Sequence, residues 1–340
     1  MNWLGIDVGG ANLKLSDGID FALSRAFALW KQPQELPAVM RRLVADAPAC
    51  DGLAVTMTGE LADCFATKAE GVRFILYAVC SAAALRKICV YLTDGRFVPP
   101  RLARASLLSA AASNWHALAR FSGRYAPAGS ALLIDLGSTT CDIIPLVDGQ
   151  PRASGHTDTL RLLAGELVYT GIERSPVCAI TDRVPYRGQL CPVAQELFAT
   201  ARDVYLVLEE LAEQPQNTDT ADGRPATRAA ALARLGRGSC ADGEEFNEQD
   251  GLSLAGAVAE AQAARLIVAV QQVRQRLPTP PATVILAGHG DFLVRRVLGE
   301  CEISASMVSL AEKLGPELSR CATAYALAVL AREASNACSR

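Results

Sequence analysis

Leu4-Gly5-Ile6-Asp7-Val8-Gly9-Gly10-Ala11-Asn12-Leu13-Lys14-Leu15-Ser16 is the stretch that decides the fold. Leu4 to Val8 has the apolar content of a buried strand, Gly9-Gly10 supply a tight turn, and Asn12 to Ser16 return as a second strand. Asp17-Gly18 makes a further turn, and a third strand is expected over Ile19 to Leu23. The design restarts at Ala131: Ala131 to Leu136 is a strand, Gly137-Ser138-Thr139-Thr140 a polar turn, and Cys141 to Val147 the return. Asp148-Gly149 stands where Asp17-Gly18 stands. One such hairpin is a weak signal, but two that align Asp7 with Asp135 mark an internal duplication.

Between the copies the pattern predicts a helix over Gln34 to Ala47, a strand over Gly52 to Thr56, partial helix over Phe74 to Leu85, a strand over Ile88 to Leu92 and a helix over Ala105 to Arg120. Beyond the second copy it predicts a helix over Glu196 to Leu211, a polar loop from Gln214 to Arg224 and an exposed acidic connector from Asp242 to Asp250. A long helix carries Leu266, Val270, Val273 and Leu277 on one stripe and ends at Pro278. Thr283 to Ala287 reads as a buried strand, and a closing helix carries Leu318, Ala322, Tyr325 and Val329. Alternating strands and helices of this kind make an α/β protein.

A chain of 340 residues has room for two domains of ordinary size. Its net charge of −3 provides no long-range attraction for nucleic acid or anionic lipid. No secretory signal precedes the first strand, and the longest apolar run, Phe74 to Leu85, would span about 18 Å as a helix against a bilayer core of about 30 Å. A soluble, cytoplasmic protein is expected, with no membrane or nucleic-acid partner. The 11 cysteines form no CxxC pair, which suits reduced thiols in a cytosol and disfavours a cysteine-based metal site.

Tight glycine turns aim successive backbone N–H groups into a concavity where phosphate oxygens fit. Gly9 and Gly10 qualify, as do Gly137, Ser138, Thr139 and Thr140, whose hydroxyls add donors. Asp7 and Asp135, which precede the turns, suit Mg²⁺, an ion that keeps much of its hydration shell. Asn12 and Lys14 share a face of the return strand, and Lys14 could meet a phosphate as a point charge. Ligands of open α/β sheets gather at the carboxyl ends of strands, which singles out Thr58, Glu60, Asp63 and Lys68 after the strand ending at Thr56. His289, between Gly288 and Gly290 after a buried strand, is a candidate for acid–base or phosphate contact. His116 and His156 have no comparable setting.

The ordered trio of Asp7-Val8-Gly9-Gly10, Asp135-Leu136-Gly137-Ser138-Thr139-Thr140 and Leu286-Ala287-Gly288-His289-Gly290 resembles the phosphate-1, phosphate-2 and adenosine segments of the actin, Hsp70 and sugar-kinase superfamily. That resemblance implies two ribonuclease-H-like domains with an interdomain cleft. It divides the chain into residues 1–125, to which a C-terminal helix over 316–335 could return, and residues 126–315, with a helical insertion around 190–278. Thr56-Met57-Thr58-Gly59-Glu60-Leu61-Ala62-Asp63-Cys64-Phe65, Tyr169-Thr170-Gly171, Ala199-Thr200-Ala201-Arg202-Asp203-Val204-Tyr205 and Ala221-Asp222-Gly223-Arg224-Pro225 are similar to the hydantoinase/oxoprolinase-like family. Within it they resemble the synthases of methanofuran-type cofactor biosynthesis, also described as tetrahydromethanopterin-linked C1-transfer proteins.

The reaction this resemblance implies joins an aminomethylfuran-methyl diphosphate to the phenol of γ-glutamyltyramine, or an analogue, and releases diphosphate. Gly9, Gly10, Asn12, Lys14, Thr58, Lys68, Gly137, Ser138, Thr139, Thr140, Gly288 and Gly290 would hold the substrate, Asp7 and Asp135 the Mg²⁺, and Glu60, Asp63 and His289 are candidates for the chemistry. His289 departs from the nucleotide-binding pattern, because it crowds the place of the nucleoside. The alternatives are an ATP-dependent kinase or hydantoinase/oxoprolinase-like enzyme and a non-catalytic, nucleotide-gated chaperone or reactivase. A homodimer is compatible with each.

Overall fold

The computed structural model describes residues 1–337, which form two sheets built on one plan. The first contains β1 (Trp3–Val8), β2 (Asn12–Ser16), β3 (Ala22–Ala26), β4 (Gly52–Met57), β5 (Lys87–Tyr91) and β6 (Phe97–Val98), in the order β3-β2-β1-β4-β5-β6. The second contains β7 (Ser130–Leu136), β8 (Cys141–Val147), β9 (Gln150–Pro151) and β10 (Leu167–Val168), then, after a separate hairpin of β11 (Arg183–Tyr186) and β12 (Gln189–Pro192), β13 (Thr283–Gly288) and β14 (Ser306–Ser309). Its order is β10-β8-β7-β13-β14, with β9 also pairing β8. In each sheet the opening hairpin is antiparallel and the next two strands add parallel to its first strand. The result is two ribonuclease-H-like units in an α/β fold.

Continuous apolar runs put β1, β4, β7 and β13 at the centre of their sheets, where both faces must be covered. Helices Leu36–Asp46 and Lys68–Ala82 cover one face of the first sheet with Met40, Leu43, Val72, Ile75 and Val79. The other face meets a core shared by both sheets. Helices Asn114–Ser122 and Ala322–Ala337 lie there, with Leu118, Phe121, Ala326 and Leu327 packed among Trp3 and Ala54 of the first sheet and Leu133, Ile144 and Ile285 of the second. Gly5 of β1 makes the approach close, because a Cβ there would overlap the Ala324 carbonyl oxygen.

Several elements differ from the expectations. The third strand begins at Ala22, because Asp17 Oδ1 accepts the N–H groups of Ile19, Asp20 and Phe21 and holds those residues in a loop. The helix expected over Ala105 to Arg120 breaks at Ala112, whose φ of 46° is left-handed, and Ser113 turns inward to bond Thr56 Oγ1 at 2.6 Å and the Tyr91 carbonyl at 2.9 Å. Only Ala201–Val207 of the Glu196 to Leu211 stretch is a continuous helix of any length. The acidic connector ends early: Asn247 and Asp250 form a capping box that starts helix Glu248–Arg274. That helix is long and apolar enough to cross a membrane, yet Leu254, Val258, Leu266 and Val270 are buried in the second core and Gln262 is hydrogen-bonded inside it. The closing helix starts at Ala322, with Leu318 in a separate short helix, Pro316–Arg320. All ten described cysteines are free.

Candidate active site

The two hairpin turns close in the same way. Gly9 N–H donates to the Asn12 carbonyl at 3.0 Å, and Gly137 N–H donates to the Thr140 carbonyl at 2.9 Å. The duplication extends to the strand that follows. The Val8 carbonyl accepts N–H groups from Thr58 (2.9 Å) and Gly59 (3.0 Å), while the Leu136 carbonyl accepts them from His289 and Gly290, both at 3.1 Å. Thr58 and His289 are therefore equivalent positions, one at the mouth of each sheet. Gly288 has φ of +80°, and a side chain there would meet the Leu136 carbonyl and Asp135 Oδ1. Gly171 lets the loop after β10 press on Ser138 and Thr139, with the Glu173 and Arg174 N–H groups both bonded to the Ser138 carbonyl.

Both turns open into a single cleft of about 910 Å³. Asp7 and Asp135 both line it, and the charge of Asp7 acts on Asp135. Burial raises the Asp7 carboxyl above the ordinary range, with Lys14 pulling the other way, and Asp7 Oδ1 has no hydrogen-bond partner. Asp135 is pushed up to about 6 by burial and then by Asp142, with Lys14 and His289 opposing and Asp7 adding. Strand register explains the neighbours: Lys14 lies across from Asp7, and Asp142 lies across from Asp135 at the same place in the second copy.

A buried carboxylate with an unsatisfied oxygen, Asp7, and a half-buried one, Asp135, fit a hard cation that takes its remaining ligands from phosphate and water, as Mg²⁺ does. Among the described residues no cluster of three or more His, Cys, Asp or Glu side chains offers a self-sufficient metal cage.

Of the residues singled out in the sequence, Gly9, Gly10, Asn12, Lys14, Thr58, Asp63, Gly137, Ser138, Thr139, Thr140, Gly288 and His289 also line the cleft. Glu60, Lys68 and Gly290 lie outside its lining. Glu60 is buried behind the wall, where desolvation pushes it up to about 7, the nearby Asp158 adds to the effect, and Lys68 opposes it. Lys68 begins its helix and reaches Asp158 of the other lobe at 3.7 Å. Gly290 is packed against Leu136 and Ile172.

The structure adds residues that sequence reasoning had little cause to choose. Arg161 is buried, ion-paired with Asp142, and stacked 4.3 Å from the Trp115 ring centroid. Arg174 lies 5.1 Å over Trp30 at the seam between the lobes. His289 Nε2 bonds Glu173 Oε1 at 3.0 Å, and Glu173 is held from behind by Arg202. Only Asp142 left a trace in the sequence, as the counterpart of Lys14 in the repeated hairpin.

Among known proteins, the family model for hydantoinase/oxoprolinase matches residues 51–334. The (4-{4-[2-(γ-L-glutamylamino)ethyl]phenoxymethyl}furan-2-yl)methanamine synthase of Methanocaldococcus jannaschii is 32% identical over 330 residues, covering 96% of each chain. A protein of the same name from Methanococcus vannielii is 28% identical over 210 residues, covering 61% of this chain and 93% of that one. The solved structure of an archaeal actin homologue aligns at a TM-score of 0.45 and 12% identity, covering 98% of this chain and 100% of that one. The family match runs through both lobes and includes the second hairpin turn and the Gly288 turn, and the chain belongs to the hydantoinase/oxoprolinase family.

Proposed function

We propose that this chain is a diphosphate-releasing synthase acting in the cytoplasm on small molecules. It would join an aminomethylfuran-methyl diphosphate to the phenol of γ-glutamyltyramine or a close analogue. The observation that carries the reading is the convergence of two amide-lined turns, Lys14, Asp7 and Asp135 on one cleft, in a chain related over 96% of its length to a synthase of that name.

The chemistry asks three things of the cleft. The diphosphate must be held while the bond from its oxygen to the furan methylene carbon breaks. The Gly9-Gly10 and Gly137 to Thr140 turns provide backbone donors, and Lys14 provides charge. Mg²⁺ held by Asp7 and Asp135 would neutralise the charge that builds on the departing diphosphate. The acceptor phenol, whose ordinary pKa is about 10, must lose its proton as its oxygen bonds to that carbon. His289 and Asp63 face the cleft and are candidates to take it, whereas Glu60 is shielded from it.

Mass spectrometry of a reaction containing the furan diphosphate, γ-glutamyltyramine and Mg²⁺ tests the proposal. Coupled ether and free diphosphate are expected, with no ATP consumption. Robust Mg-ATP turnover without any requirement for the furan diphosphate would favour the kinase reading instead.

A further inference from the structure

Glu173 lies outside the cleft lining, yet its main chain and side chain tie three parts of the site together. Its N–H donates to the Ser138 carbonyl at 3.1 Å, which fixes it to the second phosphate turn. One carboxylate oxygen, Oε1, lies 3.0 Å from His289 Nε2, and the other, Oε2, pairs with Arg202. Arg202 is anchored in turn, donating to the Asp219 carbonyl at 2.8 Å. Burial pushes the Glu173 carboxyl up, but the His289 and Arg202 contacts outweigh it and hold it down at about 2, so it is an acceptor at neutral pH. His289 is fixed through its own backbone, because its N–H donates to the Leu136 carbonyl.

A neutral imidazole that donates from Nε2 carries its lone pair on Nδ1. We infer that Glu173 is a positioning residue that holds His289 by Nε2, leaving Nδ1 as the base for the acceptor phenol. The inference rests on the synthase reading. In the step it describes, Nδ1 takes the phenol proton and the phenol oxygen forms its bond to the furan methylene carbon. The carbon–oxygen bond to diphosphate breaks, and its electron pair leaves with the diphosphate. Arg202 keeps the Glu173 carboxylate ionised, and the carboxylate stabilises the imidazolium that results.

Two measurements test this. Steady-state kinetics of Glu173→Gln should show kcat lowered roughly 100-fold, the scale of a general base, with KM for the furan diphosphate within about threefold of wild type. Glu173→Asp, which keeps the charge, should recover part of the loss. A kcat within about threefold of wild type, or a loss carried by KM as a damaged phosphate turn would give, overturns the inference. The second measurement needs no substrate and no Glu173 variant. Nitrogen-15 shifts of the wild-type ring, assigned against His289→Asn in a chain with 3 histidines, should place the neutral proton on Nε2. A proton on Nδ1 overturns it. If wild type forms no coupled product, the synthase reading fails by that result alone, and the ring tautomer still decides whether Glu173 orients His289.

Discussion

Two glycines of the site are glycine for different reasons, and the difference is measurable. Gly288 has a left-handed backbone and no room for a methyl group, so Gly288→Ala should lose at least about 2 kcal/mol in urea unfolding. Gly10 faces the cleft, and a methyl group added to it would meet nothing within 4 Å. Gly10→Ala should keep stability within about 0.5 kcal/mol while raising KM for the diphosphate substrate several-fold. Glu60 makes a pH-dependent prediction. Its folded carboxyl keeps its proton up to about 7 against an ordinary 4.5, so its contribution is full below pH 4.5 and is lost as pH climbs through 7. Glu60→Gln should therefore gain on wild type as pH rises across that window, by about 3 kcal/mol at the alkaline end. A melting-temperature difference that stays flat from pH 4.5 to 8 would count against it. Residues like Gly9, Asp7 and His289 were legible because a local turn dictates them. Arg161 was not, because its buried ion pair is made with Asp142, 19 residues away in the chain.

At the level of elements, strands were read more accurately than helices. A run such as Leu132 to Leu136 has to be buried whatever surrounds it, so β1, β4, β5, β7, β8 and β13 could be placed from apolar content alone. Helix ends depend on tertiary partners. Ser113 leaves its expected helix for Thr56 and Tyr91, and the charged start of Glu248–Arg274 read as loop because capping residues are polar. Helix Ala322–Ala337 packs across β1 at Gly5, so Gly5→Ala should force the two apart at a cost of about 1–3 kcal/mol. Thermal unfolding measures this, and an unchanged Tm would show that the helix yields freely.

For the whole molecule, the site exists only when both sheets face each other, since each contributes one turn and one carboxylate. Inorganic diphosphate with Mg²⁺ should therefore stabilise the entire chain, by about 2.7 kcal/mol at a hundredfold excess over Kd. Asp7→Asn and Asp135→Asn should each abolish the Mg²⁺-dependent part of the melting shift. Equal shifts with and without Mg²⁺ in wild type would remove the metal from the account. The repeat also has a built-in inequality. Its two halves share a backbone but differ at one facing position, lysine at 14 and aspartate at 142. A duplicated scaffold with a lysine on one wall and, at the matching place on the other, an aspartate already neutralised by Arg161 is a lopsided slot: the anionic end of a ligand gains an attraction on the Lys14 side that the opposite side does not return.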